Sequence, residues 1–531
     1  LNWDVIGFKE PRFRLKGLYA VDDFNKLPCL ESECDIGARQ IFPLLYHPNW
    51  RSPTVKHKCP RTTASACLRT VSNKVQHDPV VFEDYASWCR KYFFPEVLAC
   101  LDHEEIVVDF DEWLDSPRYE LAYRRNIRRR FNSDYIKDKN SYRYKCFVKR
   151  ELQFTKCLHE FKNTSFNDEK ERQICAPDEI KKAFANAFIN KMEEVCDKYL
   201  DGYCGRKNWE GMCKSIEDRR RFIRNIIDGA ADQSQFDTSC THPFNGLMNE
   251  LMEKCARHRN VIWHEPLSVE RLMETLEQSL FCKVSAGAGG INYIADQRCS
   301  GDGWTTLMNC WLNLSYWKYT YYLANIKNYY LCVKSDDSLF GHSNFDHPRF
   351  LKAMKCVFTQ SKESQVHGLG QICKKVNFGA IEDLDFLSNH FFWTDYGHLR
   401  MTRIPARIIQ TISWSDKLTF KDSQKYENRQ ALCYSKGMSL LAWATGLPIW
   451  ETLGHKMVEL GKPGLLKDSD YYRDRPRVWQ HRDDSKAYCR YLYKFGLDEK
   501  GVAGIEAGIK TLTNLSGLKN IPLLELFYRI C

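Results

Sequence analysis

The chain has 531 residues, 43% of them hydrophobic and 13% aromatic; it is too apolar for a disordered protein and long enough for several cores or for one large enzyme of interlocking subdomains. The formal net charge of +10, from 78 Lys and Arg against 68 Asp and Glu, gives a surface that attracts polyanions, either as simple solubility or as a basic channel for nucleic acid. The 23 cysteines are scattered, with neither a secretory framework nor a C-x-x-C pair, which fits reduced thiols in a cytosolic setting. No apolar stretch approaches the ~18 residues of a membrane helix. The start, "LNWDVIGFKE", has no signal-peptide core and no initiator Met, and reads as part of a longer product.

Residues 1 to about 80 are rich in Pro, Cys and basic residues and read as an irregular wrapping segment. Within them Cys29, Cys34, His57, Cys59 and Cys67 match no standard zinc spacing. From Phe82 to Leu114 the apolar spacing predicts helix. "YRRNIRRRF", residues 123–131, carries five arginines in nine positions; a solvated helix face is the ordinary reading and a nucleic-acid contact the alternative. Over residues 180–200, Phe184, Ala187, Phe188, Met192, Val195 and Tyr199 recur every three or four positions, which predicts an amphipathic helix against a core.

Residues 222–239 run apolar through Ile227, then small, then polar with Asp232 and Asp237, the pattern of a strand ending in a functional turn. "RCSGDGWTTLMNCWLNLSYWKYTYYL", residues 298–323, predicts a mobile Gly-bearing loop followed by a long helix without Pro or Gly. Tyr329–Val333 and Leu339–Phe340 predict two strands around a tight turn, Lys334-Ser335-Asp336-Asp337. "HPRFLKAMKCVFTQ" predicts a helix with Pro348 in its first turn. Residues 384–394 suggest an apolar hairpin, and Trp- and Tyr-rich helical patterns continue from about residue 400.

Adjacent carboxylates at Asp336 and Asp337 repel unless a cation lies between them and a third group. Asp232, 104 residues earlier, also follows a strand-like run, so pairing of the strands in one sheet would bring the three together. Two divalent ions about 3.5–4 Å apart suit in-line phosphoryl displacement, and magnesium needs few carboxylates when phosphate oxygens and water complete its shell.

Three motifs in order, "DQSQFD" (Asp232, Asp237), "SGDGWTTLMN" (Ser300, Gly301, Thr305, Asn309) and "SDD" (Ser335 to Asp337), resemble palm motifs A, B and C of viral RNA-dependent RNA polymerases. "CFVKRE" with "EKERQI" resembles the basic motif F, and "FLSNHFF" motif E. The motif F form is most similar to that of tombus-like and noda-like positive-strand RNA viruses. Ser335 departs from the usual Gly-Asp-Asp, as in nidovirus-type polymerases. The resemblance covers roughly residues 115–395.

It implies an α+β right-hand fold: an N-terminal fingers extension (1–115), fingers with motif F (116–221), a palm whose antiparallel sheet is flanked by helices (222–395, with a fingers insertion at about 241–290) and a mostly helical thumb (396–531). By the same resemblance Asp232 and Asp336 bind Mg2+, or Mn2+, with Asp337 as a looser ligand. Asp237 with Asn309 and Thr305 reads the ribose 2′-OH, and Ser300 and Gly301 follow the nascent base pair. Lys149 and Arg172, with Arg150 or Lys170 as alternatives, hold the triphosphate, and Lys374 or Lys375 is the general acid. The implied partners are RNA template, nascent RNA, NTPs and other viral replication proteins, in a replication complex in the host cytoplasm. Two rivals are a reverse transcriptase or other palm enzyme, and an inactive palm-like scaffold.

Overall fold

Five strands form the central sheet of this computed structural model: β1 (Ile226–Gln233), β2 (Tyr329–Lys334), β3 (Asp337–Ser343), β4 (Phe358–Thr359) and β5 (Gln371–Gly379), in spatial order β2-β3-β1-β5-β4. The β2–β3, β3–β1 and β1–β5 pairs are antiparallel, and β4 runs parallel to β5. The structure describes residues 77–116, 119–131, 143–148, 173–233, 236–280, 282–286, 291–295, 297–359, 368–415, 425–464 and 484–514, with strand pieces at 14–15, 39–40, 54–55 and 152–153.

Side chains alternate between the faces of a strand, and here both faces are buried. Ala231, Leu331, Val333 and Phe340 enter one hydrophobic core; Ala230, Tyr330, Cys332 and Leu339 enter another. The first core is built with α1 (Glu179–Tyr199), α3 (Thr305–Leu323) and α4 (His347–Val357), and the second with α2 (Trp209–Arg220) and the helices between residues 405 and 510. The molecule is therefore α+β, with its antiparallel strands flanked by helices.

The predicted helices at α1, α3 and α4 are present. Asp178 caps α1 by accepting from the Ile180 N–H at 2.9 Å, and Pro348 lies in the first turn of α4. Helix α3 is buried from Leu307 to Tyr321 on every side, which marks it as the interior helix of a large core rather than a surface helix. Its large side chains, Trp311, Trp317, Tyr316 and Tyr321 among them, are almost fully buried, and burying one such side chain contributes about 1.5–3 kcal/mol.

Three expectations need correction. Tyr199 does not join the core face of α1: it is the last residue of the helix, 40% exposed, and stacks on His103. The 82–114 stretch is not helical throughout, because Ile106–Val108 pairs in parallel with Val261–Trp263. Both runs are rich in β-branched residues, which favour a strand; Asp109 then restarts a helix by accepting from the Glu112 N–H at 2.7 Å. The hairpin foreseen at 384–394 lies further on, pairing Asn389–Trp393 with Leu399–Arg403. Its second strand lies across a turn containing Gly397, φ +75°.

The arginine-rich segment is helical, Leu121–Phe131, and three of its five arginines are tied to neighbours while Arg125 and Arg129 are exposed. Arg128 pairs with Asp111 and Asp115 at 3.0 and 2.9 Å, Arg130 pairs with Asp178 at 2.8 Å, and Arg124 donates to the Ser116 and Tyr119 carbonyls. These contacts favour the structural reading of the segment. The N-terminal pieces Arg14–Leu15, Arg39–Gln40 and Thr54–Val55 pair with Ile291–Ala295, Trp414–Ser415 and Leu152–Gln153 respectively, so this run reaches three distant parts of the chain. The five candidate zinc ligands at Cys29, Cys34, His57, Cys59 and Cys67 lie outside the described residues. Among the described residues no helix is long and apolar enough to cross a membrane.

Candidate active site

The three aspartates lie at one end of the central sheet. The β1–β3 register sets Asp232 opposite Asp337, and directly opposed residues project from the same face with Cβ atoms about 4.5–5.5 Å apart. Lys334 opposite Asp337 closes the β2–β3 hairpin, leaving Ser335 and Asp336 as its two-residue turn. Asp232 is exposed; Asp336 and Asp337 are half-buried. On the other side of β1 the backbone of Lys375 is the partner of Asp232, across a register shift between Cys373 and Lys375. The Lys334 ammonium donates to the carbonyls of Cys204 and Lys207 at 3.1 and 3.0 Å.

Among the described residues no three His, Cys, Asp or Glu side chains converge closely enough to hold an ion unaided. A carboxylate pair at an open sheet end still fits Mg2+, which takes one or two carboxylates and completes its shell with phosphate oxygens and water. The donors are all oxygen, which suits a hard cation.

The turn itself is strained. Ser335 has φ +58°, a left-handed conformation that glycine adopts freely and that other residues adopt at a cost. Positive φ at the first central residue of a two-residue hairpin is the type II′ pattern, which selects glycine there. Helix α3 holds the strained peptide at both ends: the Ser335 N–H donates to Cys310 Sγ at 3.0 Å, and the Ser335 carbonyl accepts from Asn313 Nδ2 at 2.9 Å.

A second cluster lies at the start of α3. Asn309 Nδ2 donates to Asp237 Oδ1 at 2.8 Å, and Arg298 donates to Asn309 Oδ1 at 2.9 Å and to Asn245 Oδ1 at 2.6 Å. Because Arg298 occupies the amide oxygen of Asn309, that amide must present its NH2 to Asp237. Thr305 is the first residue of α3, and its hydroxyl donates to the Cys299 carbonyl at 2.8 Å. Ser300 is exposed. Gly301 is needed for a close approach: its N–H bonds the Cys175 carbonyl at 2.9 Å, and a Cβ would come within 2.5 Å of that oxygen and 2.8 Å of Ala176 Cα.

The structure thus joins Asp232 with Asp336 and Asp337, and Asp237 with Asn309. Lys149, Arg150, Lys170 and Arg172 lie outside the described residues, but the neighbours Val148 and Gln173 are register partners. Arg298, Asn245, Asn313, Gln233 and Ser338 were not singled out from sequence. Arg298 stands two residues before Ser300, between Asp296 and Asp302, and nothing in that polar stretch marks it out. No protein-family model matches the chain, and no curated protein matches its sequence.

Two outcomes follow from the turn and from the Gly301 loop. Ser335→Gly relieves the left-handed conformation and raises stability by up to about 1 kcal/mol, whereas Ser335→Val, β-branched at positive φ, lowers it; equal urea midpoints for all three proteins would contradict the strain.

Asp302, beside Gly301, is fully buried, and burial pushes its carboxyl up to about 8 against the hydrogen bond from Tyr144 and the charge of Arg298, which pull it down. The folded value is raised, so the neutral acid contributes stability that is complete below the unfolded value of 3.8 and lost as pH rises through about 8. Thermal midpoints of the parent therefore fall more steeply between roughly pH 4 and 8 than those of Asp302→Asn, whose side chain stays neutral. Parallel profiles would contradict the assignment.

Proposed function

We propose that this chain is an RNA-directed RNA polymerase that copies an RNA template from NTPs with Mg2+, of the kind found in tombus-like and noda-like positive-strand RNA viruses. The observation that carries the reading is the register that sets Asp232 opposite Asp337, with Asp336 in the adjoining turn, close in sequence to a separate Asp237–Asn309 pair. In this reading the central sheet is the palm, the segments before residue 222 are fingers and N-terminal extension, and the helices after residue 396 are the thumb. RNA and other viral replication proteins are its partners, within a replication complex in the host cytoplasm.

Asp232 and Asp336 hold the divalent ions at the sheet end, with Asp337 in support. What bound Mg2+, or Mn2+ in its place, supplies is a lowered pKa for the attacking RNA 3′-hydroxyl and charge stabilisation on the departing pyrophosphate. Asp237 accepts the ribose 2′-OH while Asn309 fixes its carboxylate; a site built around that hydroxyl rejects a sugar lacking it. Lys149 and Arg172 neutralise the triphosphate, and Lys374 or Lys375, on the strand beside Asp232, protonates the leaving group.

A reverse transcriptase would place a bulky side chain where Asp237 stands, and the Asp237–Asn309 hydrogen bond favours the ribonucleotide enzyme. A scaffold without activity would have no use for carboxylates in register at an open sheet end.

Extension of a short RNA template, with and without primer, tests this. Asp232→Ala or Asp336→Ala abolishes incorporation and leaves RNA binding largely intact, since binding rests on basic groups; extension by Asp336→Ala would refute the mechanism. Asp237→Ala lowers NTP incorporation and narrows the NTP over dNTP preference by about 10- to 100-fold, the worth of one buried hydrogen bond to a charged group. An unchanged preference would leave Asp237 with a structural role alone.

A further inference from the structure

Beneath the carboxylates, the other face of the sheet carries a buried polar junction centred on one side chain. Asn313, fully buried on α3, donates from Nδ2 to the Ser335 carbonyl at 2.9 Å. Its Oδ1 accepts from Gln233 Nε2 at 2.5 Å and from the Ser338 hydroxyl at 3.0 Å. Ser338 in turn accepts from Trp317 Nε1 at 2.8 Å, one helical turn further along α3. Gln233 and Ser338 are nearly as buried as Asn313.

The three groups that Asn313 holds are the chain neighbours of the three acidic residues. Gln233 follows Asp232 on β1, Ser335 precedes Asp336 in the turn, and Ser338 follows Asp337 on β3. Alternation along the strands turns Gln233 and Ser338 toward α3 and the adjacent aspartates to the opposite face. A single amide therefore bonds two strands and the turn between β2 and β3 from below, while their carboxylates stand above. Nothing apolar of the same size can do this, because one acceptor and one donor are both engaged, and the alternative is a set of buried polar groups without partners.

We infer that Asn313 is the positioning residue of the carboxylate site, setting the mutual spacing of Asp232, Asp336 and Asp337 and through it their affinity for a divalent cation; this rests on the metal-site reading above. Asn313 touches neither substrate nor ion. Its effect on the ions passes through backbone positions, so removing it loosens metal binding more than it alters sugar choice. Sugar choice belongs to Asn309, one turn earlier on the same helix.

Mn2+ binding to the full chain, followed by the electron paramagnetic resonance signal of the free ion, provides the test, with thermal denaturation and the NTP-to-dNTP preference measured beside it. Asn313→Leu keeps the branched heavy-atom skeleton, with bulkier methyls in place of the amide oxygen and nitrogen, and removes all three hydrogen bonds. The expected result is Mn2+ binding weakened about tenfold or more, with cooperative unfolding and an unchanged sugar preference. A lowered melting temperature with unchanged Mn2+ half-saturation would show a merely structural role and overturn the inference. Should Asn313→Leu fail to fold, Ser338→Ala removes one of the Asn313 bonds together with the Trp317 contact, and weaker Mn2+ binding by that variant supports the inference while parental binding overturns it. Asp336→Ala run in parallel separates the two levels. If it binds Mn2+ as the parent does, the metal-site reading fails; if it loses the ion and both Asn313→Leu and Ser338→Ala do not, only the positioning role fails.

Discussion

A central strand buried on both faces must be thin, and β1 meets that condition with Gly229, Ala230 and Ala231. A Cβ at Gly229 would come within 2.4 Å of the Phe340 ring on β3, and that ring is packed against Trp317 and Phe350. The close fit of Phe340 over Gly229 seats β3 on β1 in one register. A slip by one residue would move every side chain to the wrong face, placing Gln233 and Ser338 in the open and the carboxylates against α3. Packing in the middle of the sheet thus decides what chemistry appears at its end.

Helix α3 answers the complementary requirement, polar satisfaction. It is buried on all sides yet carries Asn309, Asn313, Ser315, Lys318 and Thr320. Each has a partner: Asp237 and Arg298 for Asn309, the strands and turn for Asn313, Tyr85 for Ser315, Glu96 for Lys318 and the Tyr316 carbonyl for Thr320. Leaving any of them unpaired would cost about 1–3 kcal/mol. The polar contacts therefore constrain the rotation and height of the helix more sharply than its apolar surface does. Two of them, four residues apart, connect Asp237 and the Ser335 turn to a single rigid element.

Strands β1, β2 and β3, helices α1, α3 and α4, and the convergence of Asp232 on the Asp336–Asp337 turn were legible in the sequence, because hydrophobic spacing reports burial directly. Apart from the Asp237–Asn309 pair, which the resemblance already put together, the polar contacts were not. Asn313 looks like any helical asparagine until Gln233 and Ser335, 80 and 22 residues away, are brought to it, and no periodic pattern encodes that meeting. Tyr199 shows the converse limit, since its spacing was correct but the core had ended before the helix did. Ser335 was visible as a departure from glycine; its positive φ became meaningful only with the Cys310 and Asn313 contacts that hold it.

The order of the strands along the chain also bears on how the molecule forms. Strands β2 and β3 are joined by two residues and can pair within microseconds, but β1 precedes β3 by about a hundred residues and must wait for loop closure over that span. During synthesis β1 emerges first, with both edges unpaired and both faces uncovered, and its small, weakly apolar side chains give neighbouring chains little to adhere to. The composition that lets β1 fit between two cores also shields the nascent strand from aggregation until its partners arrive.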